Sequence, residues 1–183
     1  MASPIFASPE QIMTEKDELA RKGVQFGRDV IAMDYEGGIA FVAENASRTL
    51  NKVSEIYDRL ALAAVGNIQE YEIMRTVGIE QAEVKGYTYS REDVTARWLA
   101  NLYSQYIGGV WRQFDTKPFE VELLIADLGE PGYSATRLYR ISYNGILADD
   151  EKTAVIGGKA KEIREWLSER YEDDLSLPDV VRM

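Results

Sequence analysis

Three observations predict an α+β chain. Helical patterns are grouped between blocks of strand patterns instead of alternating with them, the strand runs come in pairs joined by short turn sequences, and several runs are apolar throughout. Continuous apolar runs belong in sheets covered on both faces. A pair of sheets with helices outside it is therefore the simplest packing. The 183 residues suit one domain, with no internal repeat and no low-complexity linker.

Ser8-Pro9-Glu10-Gln11 opens the first helix. Ser8 caps it, Pro9 fits the first helical position, and Gln11 completes a capping box. Ile12 and Leu19 carry the pattern to about Gly23, where a glycine is expected to stop it. Two hairpins follow: 29–35 and 39–43 flank Glu36-Gly37-Gly38, and 52–56 and 60–65 flank Tyr57-Asp58-Arg59. A helix is then expected from about Gly66 toward Gln81, with Gly78 its weak point. The next is capped by Ser90, carries Glu92 and Asp93 in its first turn, and ends near Gly108-Gly109. Within it Val94, Trp98, Leu102 and Tyr106 recur every four residues, which predicts the stripe facing the core.

Strand patterns return at 119–126, 136–142 and 146–148. The last two flank Tyr143-Asn144-Gly145, and Asn-Gly is a strong hairpin signal. A short strand at 153–156 precedes Gly157-Gly158, which lead into a helix at 159–171. Ser176 and Pro178 open a final helix, barely one turn before Met183.

Composition narrows the chemistry. A net charge of −10 without a dense Lys/Arg run disfavours nucleic acid as a partner. The longest apolar run, Leu60 to Val65, falls far short of the roughly 20 residues that span a bilayer. No signal peptide opens the chain, so a cytoplasmic location with no membrane partner is expected. With no cysteine and no histidine, disulfides, thiolate nucleophiles, Ser-His-Asp triads and the usual zinc sites are excluded, and no metal or other cofactor is expected. Glu10, Glu15 and Glu18 read as the wet face of a helix, and Asp149-Asp150-Glu151 as a solvated loop without cation-ligand spacing. Neither Gly108-Gly109 nor Gly157-Gly158 fits a phosphate-binding fingerprint.

Ser8-Pro9-Glu10-Gln11, the run Glu18 to Gly23, Phe41 to Asn45 and Ile56-Tyr57-Asp58-Arg59 resemble proteasome α-type subunits of the actinobacterial kind. So do Lys85-Gly86-Tyr87, Asp93-Val94-Thr95, Leu99-Ala100-Asn101 and Tyr139-Arg140-Ile141, in register over the whole chain. The resemblance implies the four-layer αββα sandwich of the Ntn-hydrolases, with an extra N-terminal helix. It also implies a homo-heptameric α ring stacked on proteasome β subunits and serving a ring-shaped regulatory ATPase. The tail Met1, Ala2, Ser3, Pro4, Ile5, Phe6 and Ala7 would form the gate, ahead of one domain at 8–183. Family members continue through the last helix into further strands, so the resemblance implies a sandwich lacking its final helix and strands.

The family's peptidases use an N-terminal Thr, its own amine acting as base, with a supporting acid and Lys. Arg28 occupies the matching position here, behind a helix and a tail, while Glu44 and Lys52 stand where the supporting pair belongs. No catalytic residue is therefore expected. Lys52 has a second reading: the resemblance implies that with Gly27 and Gly66-Asn67 it lines a pocket between neighbouring subunits that accepts the terminal carboxylate of an activator ATPase. Taken alone, these residues read more simply as a solvated strand-end lysine and turn glycines, and the resemblance favours the pocket. Two rivals stand beside the gating subunit: a β-type threonine peptidase, and a truncated orphan subunit that does not assemble.

Overall fold

In the computed structural model, which describes residues 8–45, 50–129 and 135–183, the chain begins with α1, Pro9–Phe26. The expected gate, Met1 to Ala7, lies outside the described residues. The capping box is present: Gln11 N donates to Ser8 Oγ at 3.2 Å, and Ser8 N donates to Gln11 Oε1 at 2.8 Å. The helix does not stop at Gly23 but runs to Phe26, with Gly27 as its C-cap. A Cβ at Gly23 would come within 2.4 Å of Glu120 Cβ, so that glycine permits close packing and terminates nothing.

Four strands follow: β1 (Val30–Tyr35), β2 (Gly38–Ala43), β3 (Val53–Tyr57) and β4 (Leu60–Gly66). The next helix, α2, spans Ile68–Thr88, beyond the expected end near Gln81. Gly78 lies within it because Tyr103 leaves no room for a Cβ, which would stand 2.0 Å from the phenol oxygen. Ser90 caps only a 3₁₀ turn, Arg91–Asp93, and Thr95 caps α3, Ala96–Trp111, which passes through Gly108-Gly109. The core-facing stripe is shifted by one position from the expected one. Leu99, Tyr103 and Ile107 are buried; of the expected row, Val94 is buried just ahead of the helix, Trp98 and Leu102 pack half-buried against the core, and Tyr106 is exposed.

The strands β5 (Val121–Asp127), β6 (Arg137–Ile141), β7 (Leu147–Asp150) and β8 (Thr153–Ile156) precede α4 (Ala160–Ser168) and α5 (Leu177–Arg182). Asp149 and Asp150, expected in a loop, belong to β7, where Asp150 forms a bidentate ion pair with Arg140 across the hairpin. The helix expected at 159–171 is shorter at both ends.

The strands form two antiparallel sheets, ordered β2-β1-β8 and β3-β4-β5-β6-β7. Alternation along each strand feeds separate cores. Leu60, Leu62, Leu123, Ile125 and Ile141 pack against α2 and α3. Val30, Ala32, Ala63, Val65, Leu124, Ala126, Leu138 and Ala154 meet between the sheets. Met33 and Val155 turn outward against Leu167 of α4 and Val180 of α5. Burial on both faces is why these strands are apolar runs. Among the described residues, no helix is long and apolar enough to cross a membrane.

Candidate functional site

Two backbone requirements bring the end of α1 against the start of α2. Gly66, the last residue of β4, has φ +122°, and a Cβ there would lie 2.0 Å from the Glu120 carbonyl oxygen. Gly27 allows the second approach, since its Cβ would lie 2.4 Å from Val65 Cγ1 and 2.8 Å from Gly66 N. Both glycines are thus explained by close backbone contact. Asn67 caps α2, its Oδ1 accepting from Gln69 N at 3.0 Å and Glu70 N at 3.4 Å. The Asn67 N–H itself donates to the Glu120 carbonyl at 2.8 Å.

Lys52 stands immediately before β3, its carbonyl held by Ala64 N at 3.1 Å. It closes a pocket of about 50 Å³ whose lining includes Gly27, Gly66 and Asn67, so the four residues singled out in the sequence line one cavity. Lys52 Nζ donates to the Arg28 carbonyl oxygen at 2.9 Å. Burial holds the Lys52 pKa below its ordinary value, and the Arg28 charge lowers it further, against the opposing influence of Glu44 and Asp29. Lys52 is half-buried, and among the described residues no carboxylate lies within ion-pair distance of its ammonium.

Sequence reasoning missed the rest of the lining. Ala64, Val65, Ile68 and Tyr71 make the walls apolar. Tyr71 is buried, its hydroxyl 2.8 Å from Ser54 Oγ and 3.4 Å from the Leu62 carbonyl oxygen. Its spacing from Asn67, one helical turn into α2, was the available signal.

Arg28, Glu44 and Lys52 also come together. Arg28 Nε is 3.6 Å from Glu44 Oε1, an exposed pair, and Lys52 reaches the Arg28 carbonyl. The residue at their centre carries a guanidinium and an amide nitrogen within the chain, with no hydroxyl to attack a carbonyl carbon. The local chemistry suits receipt of a small anionic group between an ammonium and the N-terminus of a 21-residue helix. The carboxylates of Glu10, Glu15 and Glu18 are exposed on α1, and among the described residues no cluster of acidic side chains could hold a metal ion.

Comparison with known proteins gives one family match, described as proteasome subunit, over residues 24–183. Proteasome subunit alpha of a Nocardioides species is 46% identical, covering 100% of this chain and 71% of its own length. The protein of the same name from Mycolicibacterium vanbaalenii is 50% identical over 99% of this chain and 71% of its own. That of Rhodococcus erythropolis is 47% identical over 100% and 72%.

Proposed function

Because this chain belongs to the proteasome subunit family, with actinobacterial α subunits among its relatives, we propose that it is a non-catalytic outer-ring subunit that gates substrate entry and docks a regulatory ATPase. The observation that carries this reading is the single pocket shared by Gly27, Lys52, Gly66 and Asn67. A C-terminal carboxylate entering it would meet the Lys52 ammonium and the positive end of the α2 dipole, while apolar walls receive the last side chain. The Lys52 contact with the Arg28 carbonyl leaves room for a stronger partner, because an ammonium carries three donors.

Likeness to the family supports the remaining parts of the proposal. Seven copies would form a homo-heptameric ring on the β subunits in the cytoplasm, and Met1 to Ala7 of each would contribute to the gate. The order α2/α3, five-stranded sheet, three-stranded sheet, α4/α5 would correspond to the Ntn-hydrolase αββα sandwich, with α1 added at its end. A docked tail would open the gate only by binding the open arrangement better than the closed one. The peptidase alternative has no support in the Arg28 environment.

The test pairs assembly with docking. Native mass spectrometry of the chain mixed with its β partner should give a stacked particle containing seven copies. In that particle Lys52→Ala should abolish stimulation of peptide degradation by the ATPase while leaving assembly intact. Undiminished stimulation would overturn the docking site.

A further inference from the structure

Glu70 lies in the first turn of α2 and reaches back out of the helix. Its Oε2 accepts the Glu120 N–H at 2.6 Å. The Glu120 carbonyl accepts the Asn67 N–H at 2.8 Å, and Asn67 Oδ1 accepts the Glu70 N–H at 3.4 Å. These three hydrogen bonds form a closed ring joining the start of β5 to the Gly66-Asn67 rim of the pocket. The ring is tight on its inner side, since the same Glu120 carbonyl oxygen is the atom that would meet a Cβ on Gly66. Lys117 covers it from outside, 3.5 Å from Glu70 Oε1 and 2.6 Å from Glu120 Oε1.

Lys52 is anchored by other hydrogen bonds. It is tied to Ala64 through its backbone and to Arg28 through its ammonium, hydrogen bonds in which Glu70, Glu120 and Asn67 take no part. Beyond the β4–β5 pairing of Gly66 with Val121, the Glu70 ring is the restraint that reaches the rim from α2 without involving the ammonium. Burial raises the pKa of this half-buried first-turn carboxylate, and the Glu120 N–H and then Lys117 draw it back.

We propose that Glu70 is a positioning residue of the pocket, fixing the Gly66-Asn67 rim at the separation from Lys52 that receives a terminal carboxylate. This inference rests on the docking reading above. Its requirement is an acceptor of the right reach, not a charge. Glu70→Gln retains that acceptor, Glu70→Met removes it at similar volume, and Glu70→Asp keeps the charge one methylene too short.

The experiment measures binding of a fluorescein-labelled hexapeptide, five alanines and a C-terminal valine, as the free acid and as the amide, by fluorescence anisotropy on the assembled particle. Wild type should prefer the acid. Glu70→Met and Glu70→Asp should lose about tenfold of that preference, the scale of one hydrogen bond to a charged group, while Glu70→Gln retains it. Hydrogen exchange at the Asn67 amide should accelerate in the same two variants. Preference for the acid surviving in both Met and Asp variants would overturn the inference and leave docking intact. A wild-type particle that binds acid and amide equally would overturn the docking reading itself and this role with it.

Discussion

Lys16 Nζ stands 2.5 Å from the carbonyl oxygen of Gln113 and 3.0 Å from that of Trp111, so a side chain of α1 closes the C-terminal end of α3. A third carbonyl, that of Val110, lies at 3.4 Å. The last carbonyls of a helix have no partner within it and carry the negative end of its dipole, which suits an ammonium. Lys16 is 6% exposed, and burial holds its pKa below the ordinary value while Asp115 opposes that shift.

Lys16→Met should therefore destabilise the fold although it replaces a buried charge with an apolar group of similar length. The carbonyls it abandons are partly buried and lose a charged donor. A loss of about 1.5–3 kcal/mol is expected in urea unfolding, the range for hydrogen bonds to a charged group. An unchanged midpoint would mean that water takes the place of the ammonium at no cost.

Gly66→Ala should be among the most damaging conservative changes. The residue has φ +122°, and the added methyl would lie 2.0 Å from a backbone oxygen that has little freedom to move. A loss of roughly 3 kcal/mol is expected by thermal or urea unfolding, combining backbone strain with displacement of β5.

Gly78 and Tyr103 should be coupled. The Tyr103 hydroxyl donates to the Met74 carbonyl at 2.7 Å and occupies the space a Cβ at 78 would need. Gly78→Ala gains about 1 kcal/mol of helix propensity but forces the ring aside at a cost of about 1–3 kcal/mol. In a Tyr103→Phe background the worst contact is gone and the ring carbon at 3.1 Å remains, so the same substitution should be less destabilising. A double-mutant cycle with no interaction energy would refute this packing account.

Glu122 supplies the pH prediction. Burial pushes its carboxyl pKa up, although the Gly157 N–H at 3.1 Å and then Arg140 and Arg164 pull it down. A raised folded pKa means that the native state binds the proton more tightly than the unfolded chain. Stability is thus fullest below the ordinary carboxylate range and falls as pH rises through the raised value. Glu122→Gln keeps an acceptor for Gly157 and removes the titration. It should melt higher than wild type at about pH 7.5 and converge with it near about pH 3.5. Parallel melting curves across that range would exclude the mechanism.

The two-sheet organisation was legible because burial on both faces writes itself into strands as apolar runs, as in 60–65. Helix extents are less legible where glycine suggests a stop or a weak point. Gly23, Gly78 and Gly108 each lie within a helix, the first two against Glu120 and Tyr103, the third against Gly145 of the β6–β7 turn. Such contacts come from distant parts of the chain and leave no local mark. The one-position shift of the α3 stripe has a related cause: a row of four-residue spacing drifts around a helix, and Leu99, Tyr103 and Ile107 form an equally regular row beside it. In the pocket, the residues with unusual chemistry stood out while its apolar walls did not. Ala64, Val65, Ile68 and Tyr71 look like core, and three of them have no polar group to betray a second role.

The pairing of Val30 with Ile156 also sets a timetable for synthesis. The five-stranded sheet is assembled from strands in chain order, so it can grow as the polypeptide leaves the ribosome. The β1–β2 hairpin instead waits for a partner roughly 120 residues downstream, about 6–25 s at ordinary elongation rates. During that interval one edge of β1 and an apolar face of the hairpin are unpaired, a natural substrate for nascent-chain chaperones. Arrested chains released just before and just after residue 156 clears the exit tunnel should differ sharply in protease resistance at β1.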